Sequence, residues 1–306
     1  MFSMNYNYQY IDWSHDQIPG EPFQHKGNLV TNIITPTITI GLSDYFNISY
    51  QQTIGVRSMD WMGDSTSMHH QDGNTSTDFE NAHGSKFGDG TINLKYLITN
   101  TGMQPGSRIF FGTGLVIPSN SVLTKNPFLD DNQDGIVDDE HRHFSLSDGC
   151  YKTNFELQYY IKNNSKNWYN PSFYGLTINY ITPLKESDYG YLSSDTYIII
   201  GSTLFPTKLK STWAPKGMSL GLAYLKTDKA FWNNIETPNS ETEVIIPTIG
   251  IIWNHKNYGS FSLNLKYSYN QTVMPESAPD SDMTMFELSI GYRKTIDYTI
   301  PWLSDF

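Results

Sequence analysis

The sequence predicts an all-β fold: one transmembrane antiparallel β-barrel of about 12 strands with long extracellular loops, occupying residues 1–306 as a single domain. Three observations lead there. From Gly259 to Asn270, Phe261, Leu263, Leu265, Tyr267 and Tyr269 alternate with Ser262, Asn264, Lys266, Ser268 and Asn270, which gives a strand two chemically opposite faces. The apolar face is too greasy for water, so many such strands closing on themselves would put lipid outside and water inside. The composition agrees: mean hydropathy is only -0.45, yet aromatics make up 14%, as expected where only alternate residues meet lipid. Finally, no run of about 18 apolar residues exists, so no helix is expected to cross a membrane.

Strand-like segments fall near 3–13, 28–41, 46–58, 89–100, 107–118, 151–163, 171–183, 195–204, 217–226, 244–254, 259–271 and 284–294. Each has the length that a tilted strand needs to cross a bilayer, and an even number of them suits a single-chain bacterial barrel. The alternation repeats: Ile92, Leu94, Tyr96 and Ile98 oppose Asn93, Lys95 and Thr99; Phe155, Leu157, Tyr159 and Ile161 oppose Asn154, Glu156, Gln158 and Lys162. In the same way Met218, Leu220, Leu222 and Tyr224 oppose Ser219, Gly221 and Ala223, and Phe286, Leu288, Ile290 and Tyr292 oppose Glu287, Ser289, Gly291 and Arg293. Pro36 and Pro247 each remove a ladder hydrogen bond and are expected to mark bulges or strand beginnings.

The connections alternate in length. Short ones lie at Ser43 to Tyr45, Thr101 to Ser107, Asn164 to Asn170 and Lys256 to Tyr258, with a moderate one at Pro206 to Lys216. Long ones lie at Asp60 to Phe87, Asn120 to Gly149, Lys226 to Glu243 and Thr272 to Asp282. Short turns of bacterial barrels face the periplasm, so both termini are expected there, in the bacterial outer membrane of a Gram-negative cell. No basic-then-apolar leader is visible at Met1, and an export signal is expected to have been removed. Trp13 and Trp61 are expected at the outer interface, and Trp168, Trp213 and Trp253 at the inner one, as aromatic girdles.

The run Lys86-Phe87-Gly88-Asp89-Gly90-Thr91-Ile92-Asn93-Leu94-Lys95-Tyr96, followed by Phe111-Gly112-Thr113-Gly114-Leu115-Val116-Ile117-Pro118-Ser119, resembles the outer-membrane transporter family named for the MetA pathway of phenol degradation. That family is distantly similar to the FadL hydrocarbon transporters. The hairpin Thr35 to Asp44 fits the same pattern, so the resemblance covers residues 30 to 120. It implies a barrel and passage of a small molecule, and supplies no catalytic residues.

The net charge of -11 argues against a nucleic-acid partner, which needs clustered Lys and Arg. The single Cys150 cannot form an internal disulfide. The sharpest local motif is the acidic stretch Asp130 to Glu140, within a long extracellular loop over 119–149. Asp130, Asn132, Asp134, the Ile136 carbonyl and Asp138 stand at successive ligand positions of a calcium loop, with Gly135 at its tight turn. Position twelve is His141, and the closing acid, Glu140, comes one residue early; the alternative is a solvated acidic tip. His69, His70 and His83, with nearby carboxylates, offer imidazoles suited to zinc, iron or copper, though their spacing matches no metal motif. Lys95, Arg108, Glu156, Lys162, Lys266, Glu287 and Arg293 are expected to line the lumen, either pairing to hold the barrel in register or acting as a selectivity filter.

The expected function is a passive channel or transporter for small, hydrophobic or aromatic solutes, embedded in outer-membrane lipid. The alternatives are a barrel that sheathes or docks a protein partner such as a cytochrome, at its loops or its periplasmic end, a soluble calcium-stabilised sandwich, and an outer-membrane enzyme. No hydrolase motif is visible at the strand ends, so the sequence predicts no enzyme.

Overall fold

The computed structural model of the chain describes residues 1–15, 23–62, 73–74, 86–102, 105–124, 126, 145–165, 167–209, 211, 213–237, 240–270 and 282–297. The twelve barrel strands are β1 (Phe2–His15), β2 (His25–Gly41), β3 (Phe46–Trp61), β4 (Phe87–Asn100), β5 (Gly106–Ile117), β6 (Lys152–Lys162), β7 (Phe173–Pro183), β8 (Thr196–Pro206), β9 (Gly217–Thr227), β10 (Thr242–His255), β11 (Gly259–Asn270) and β12 (Asp282–Lys294). Every pair of chain neighbours is antiparallel, and β1 pairs with β12, which closes the sheet and leaves no barrel strand with an open edge.

Cross-strand partners share a face, so the registers assign inside and outside throughout. At the closure, Met4, Tyr6 and Tyr8 stand opposite Tyr292, Ile290 and Leu288 on the outer face, while Asn5, Asn7 and Gln9 stand opposite Gly291, Ser289 and Glu287 on the inner one. Large apolar side chains such as Leu94, Leu157, Ile178, Ile199, Leu222, Ile249, Leu265 and Ile290 are therefore exposed on the exterior. In water such a surface would associate; in a bilayer it is the solvated one. Outward charges such as Asp12, Lys26, Asp60, Lys226, Glu243 and Lys294 sit at strand ends, where they reach water. The outward Asn32 is accepted into the lipid band because the Tyr6 hydroxyl donates to its Oδ1 at 2.8 Å.

Both prolines lie in mid-strand on the outer face, not at bulges or strand starts. Pro36 pairs with Met4 of β1, and the β2–β3 ladder skips Thr35 and Pro36 without changing register. Pro247 pairs with Leu222 of β9, and the β10–β11 ladder likewise skips Ile246 and Pro247. Each proline costs one local interruption on one side only. The bulges occur instead in the β3–β4 ladder between Gln52 and Ile54 and in the β4–β5 ladder between Leu97 and Thr99.

Tight turns close one end. Ser43 Oγ accepts from the Tyr45 and Phe46 amides at 3.2 and 3.1 Å, and the Lys256–Tyr258 turn ends at Gly259, whose φ of 97° suits a residue without a Cβ. At the opposite end, two-residue strands at Tyr191–Leu192, Phe231–Trp232 and Ile235–Glu236 form a small sheet over β7 to β10. Cys150 is buried beside it, its Sγ 3.2 Å from the Tyr191 carbonyl oxygen, and burial with the nearby Asp148 carboxylate pushes its thiol up.

Candidate functional site

The inner wall is built in two chemistries. Across β4 to β6, inward glycines separate inward polar residues, and partners two strands apart reach each other over them. Lys95 and Glu156 flank Gly112 in register and form an ion pair of 2.8 Å. One step along, Asn93 and Asn154 flank Gly114, and Asn154 Nδ2 donates to Asn93 Oδ1 at 3.0 Å. A Cβ on Gly114 would strike both Asn93 Oδ1 and Asn154 Oδ1 and lie 2.6 Å from the Ile92 carbonyl oxygen. Glycine is thus needed there for close approach, and the bridge over it is what it permits.

Across the barrel, separated from this wall by β2 and β3 on one side and by β7 to β10 on the other, a second polar network runs over β11, β12 and β1. Lys266 Nζ pairs with Glu287 Oε1 at 2.6 Å, and the Ser289 hydroxyl lies 2.8 Å from the same Oε1 and 2.7 Å from Asn7 Oδ1. Asn5 Nδ2 continues it with a 2.8 Å bond to Asn7 Oδ1. In both Lys95–Glu156 and Lys266–Glu287 each charge has its opposite at contact distance, which offsets part of its desolvation.

Between these polar sectors, β8 to β10 turn several apolar side chains inward beside Thr177, Asn179 and Thr248. In the half nearest the long loops, Ile198 stands in register with Leu225, and Ile200 with Ala223. Val244 and Ile246 continue the surface on β10, opposite Leu225 and Ala223. Ile200 keeps 40% exposure although it points inward, so open space lies beside it. Toward the short turns the surface passes to Leu204 and its partner Phe173, then to Tyr160 and Phe110. Those rings touch in series, Phe173 to Tyr160 at 5.4 Å and Tyr160 to Phe110 at 6.1 Å between centroids. An apolar lane thus runs along the lumen from one end towards the other, broken between Ile200 and Leu204 by Ser202 with Gly175 and Gly221 at its sides.

The loop end of the lumen carries its own aromatic cluster. Trp13 and Trp61 occupy the inner face, each in register with Gly27, with ring centroids 6.0 Å apart. They are not an interfacial girdle: their parity is opposite to that of Tyr6, Tyr8 and Tyr10, and the ring of Trp13 lies over the space left by Gly27. Phe23 stacks on His25 at 5.0 Å, and His25 meets Trp61 edge-on at 5.3 Å. The outward rings near this rim are Tyr180 and Tyr197, stacked at 5.0 Å, and Tyr224. At the other rim, Trp168, Trp213 and Trp253 do lie at or beside the short-turn ends of their strands.

The described ends of the long connection after β5 fold onto the inner wall. Arg57, inward and opposite Thr31, donates from Nη1 to the Ser145 carbonyl oxygen at 2.7 Å, and Asp89 Oδ1 accepts from the Ser119 amide at 3.1 Å. The amides of Leu146 and Ser147 both donate to the Ser121 carbonyl oxygen. Arg57, Phe110, Tyr160 and Ile200 are functional candidates that carry no motif; the one signal for Arg57 in the sequence is that it shares the parity of Gly55 and Thr53.

The structure places the sequence-derived lumen residues as follows. Lys95 with Glu156, and Lys266 with Glu287, form the two pairs above. Arg108, Lys162 and Arg293 also have inward registers but sit at the short-turn rim, where Arg108 Nε donates to Asn100 Oδ1 at 3.3 Å. The calcium motif, Asp130 to Glu140, and His69, His70 and His83 lie outside the described residues. Among the described residues no cluster of three or more His, Cys, Asp or Glu is placed to hold a metal ion.

No family model matches the sequence, and no curated protein matches it. Among solved structures, the chain is similar to an outer membrane channel from Pseudomonas putida F1 at 12% identity and a TM-score of 0.55, covering 95% of this chain and 93% of that one. Similarities to the CymD monoaromatic hydrocarbon channel (8% identity, TM-score 0.44, covering 97% and 89%) and the KdgM porin (9%, 0.40, covering 96% and 99%) are too slight to carry an argument. The likeness is one of fold. A closed antiparallel barrel that wears its apolar side chains outward is an outer-membrane architecture, and the chain belongs in the bacterial outer membrane.

Proposed function

We propose that the protein is a passive outer-membrane channel for small solutes that combine an aromatic or apolar body with a polar group. The observation that carries this reading is the apolar lane from Ile198 and Ile200 through Leu204 to Phe173, Tyr160 and Phe110, set between two paired polar walls. A lumen meant only for water-loving solutes gains nothing from an inward isoleucine surface, which leaves water beside it poorly hydrogen-bonded. A solute with a ring can lay that ring on the lane while its polar group exchanges hydrogen bonds along Asn93, Asn154 and the wall opposite. The neutralised ion pairs suit such traffic, since a strong net field would favour simple ions. The resemblance of residues 30 to 120 to the transporter family of the MetA pathway of phenol degradation supports the same solute class.

In the same reading, calcium held by Asp130, Asn132, Asp134, the Ile136 carbonyl, Asp138 and Glu140 would stiffen an outer loop, and the histidines of the 60–87 connection would remain solvated. The test of the central proposal is flux through the purified barrel in liposomes, comparing an aromatic carboxylate with a sugar of similar size. The aromatic solute should pass faster; equal rates, or faster sugar, would remove the basis for the proposed specificity.

A further inference from the structure

On the exterior, at the rim of the short turns, the barrel wall carries a groove with a volume of about 910 Å³, within the roughly 300–1,000 Å³ range of ligand pockets. Its floor is Met4, Tyr6, Phe261, Ile290 and Tyr292, all outward by register. Trp253 bounds it, and Trp213, 74% exposed in the β8–β9 connection, lies beside it with its ring 5.5 Å from His255. Tyr258 in turn meets His255 at 4.5 Å, so three rings form a row along the rim.

A second, polar pocket of about 400 Å³ adjoins this groove, and the two share Asn254, His255 and Lys294. Its outer cations are Lys256 in the turn and Lys294, outward by register, while Arg293 lines it from the lumen side; among the described residues none of the three forms an ion pair. Lys95 and Lys266, by contrast, each meet a carboxylate at contact distance. Here an apolar groove facing the bilayer runs directly into a pocket whose lysines, among the described residues, have no carboxylate partner, at the level of the headgroups.

We propose that this rim is a binding site for a phospholipid of the periplasmic leaflet that carries net negative charge, with an acyl chain along Met4, Ile290 and Phe261 and its phosphate at Lys294 and Lys256. The groove opens towards lipid, so its occupant comes from the bilayer, and Lys294 and Lys256 select an anionic headgroup over a zwitterionic one. Trp213 and Tyr258 hold the depth, since amphipathic rings settle at the interface between headgroup and tail.

The test is native mass spectrometry of the detergent-purified barrel after mixing with phosphatidylglycerol and phosphatidylethanolamine in equal amounts. The wild type should retain phosphatidylglycerol preferentially. Lys256→Gln and Lys294→Gln should each lower that retention about fivefold, while Trp213→Ala should lower retention of both lipids alike. All three side chains are exposed, so the variants should keep the altered gel migration of the unboiled barrel. Excess inorganic phosphate should fail to displace the lipid, because the groove contributes to holding it. Equal retention of the two lipids by the wild type, unchanged retention in both lysine variants, or displacement by phosphate alone would each overturn the proposal.

Discussion

Strand β11 meets the lumen with Ser260, Ser262, Asn264, Lys266 and Ser268, whereas β8 meets it with Ile198, Ile200 and Leu204 around Ser202. Both strands meet lipid with the same kind of side chain, Leu263 and Leu265 on one and Tyr197 and Ile199 on the other. The bilayer imposes one requirement on every strand, which is an apolar exterior; it imposes none on the interior. What differs between the two interiors is therefore free to serve the solute, and the contrast between β11 and β8 is where function shows.

The largest expected effect breaks the shared exterior. Leu265→Arg on β11 and Ile199→Arg on β8 each place a charge on the lipid face, at a cost of about 2–4 kcal/mol near mid-bilayer, and should prevent membrane assembly as read by heat-modifiable gel migration. Asn264→Arg and Ile200→Arg, one residue away and inward, should both assemble. Equal damage from inward and outward variants would contradict the register.

Next comes the wall that bridges over glycine. Gly114→Ala forces a methyl group against Asn93, Asn154 and the Ile92 carbonyl, and overpacking of this kind destabilises by about 1–3 kcal/mol. Denaturant unfolding of the folded barrel should move to lower concentration, whereas Gly201→Ala on the exterior of β8, where an added Cβ lies 4.0 Å from its nearest neighbour, should leave the midpoint in place.

A smaller effect separates the polar wall from the lane by charge alone. Glu156→Gln leaves Lys95 inside the lumen without its partner at 2.8 Å. The barrel should still assemble, and in planar bilayers under a salt gradient the reversal potential should move towards anion preference. An unmoved potential would mean that this pair lies away from the ion path.

The smallest expected effect concerns the outer loop. Calcium sites of extracellular modules bind at about 10⁻⁴–10⁻³ M, so millimolar calcium should slow proteolysis between Asn126 and Ser147, and Asp134→Ala should abolish the protection without altering the barrel. Cleavage at one rate in calcium and in chelator would identify the stretch as a solvated acidic tip.

The exterior was legible because alternation is visible wherever the interior is polar. β4, β6, β11 and β12 could be placed from their letters, and the Lys95, Glu156, Lys266 and Glu287 side chains fall on the inner face by register. In β8 the run Tyr197-Ile198-Ile199-Ile200 is apolar at both parities, so no pattern says which isoleucines face the lumen; only pairing with Thr177 and Ala223 decides it. Trp13 and Trp61 were misassigned because an aromatic near a strand end suits a girdle by type, although parity with Tyr10 already opposed it. Arg57 gave no composition signal, and its partner, the Ser145 carbonyl, lies 88 residues away in sequence. The prolines taught a converse lesson: a closed sheet tolerates one skipped pair when the other neighbour keeps its register.

The central claim is that the β8–β10 interior selects the solute, and the most direct measurement is the ratio of aromatic-carboxylate flux to sugar flux in liposomes for the wild type and for Ile200→Ser combined with Ile246→Ser. Both residues are inward, so assembly should be unchanged, and the double variant should bring the ratio close to one by slowing the aromatic solute while the sugar rate holds or rises. A ratio that stays at its wild-type value after both isoleucines are gone would contradict the account.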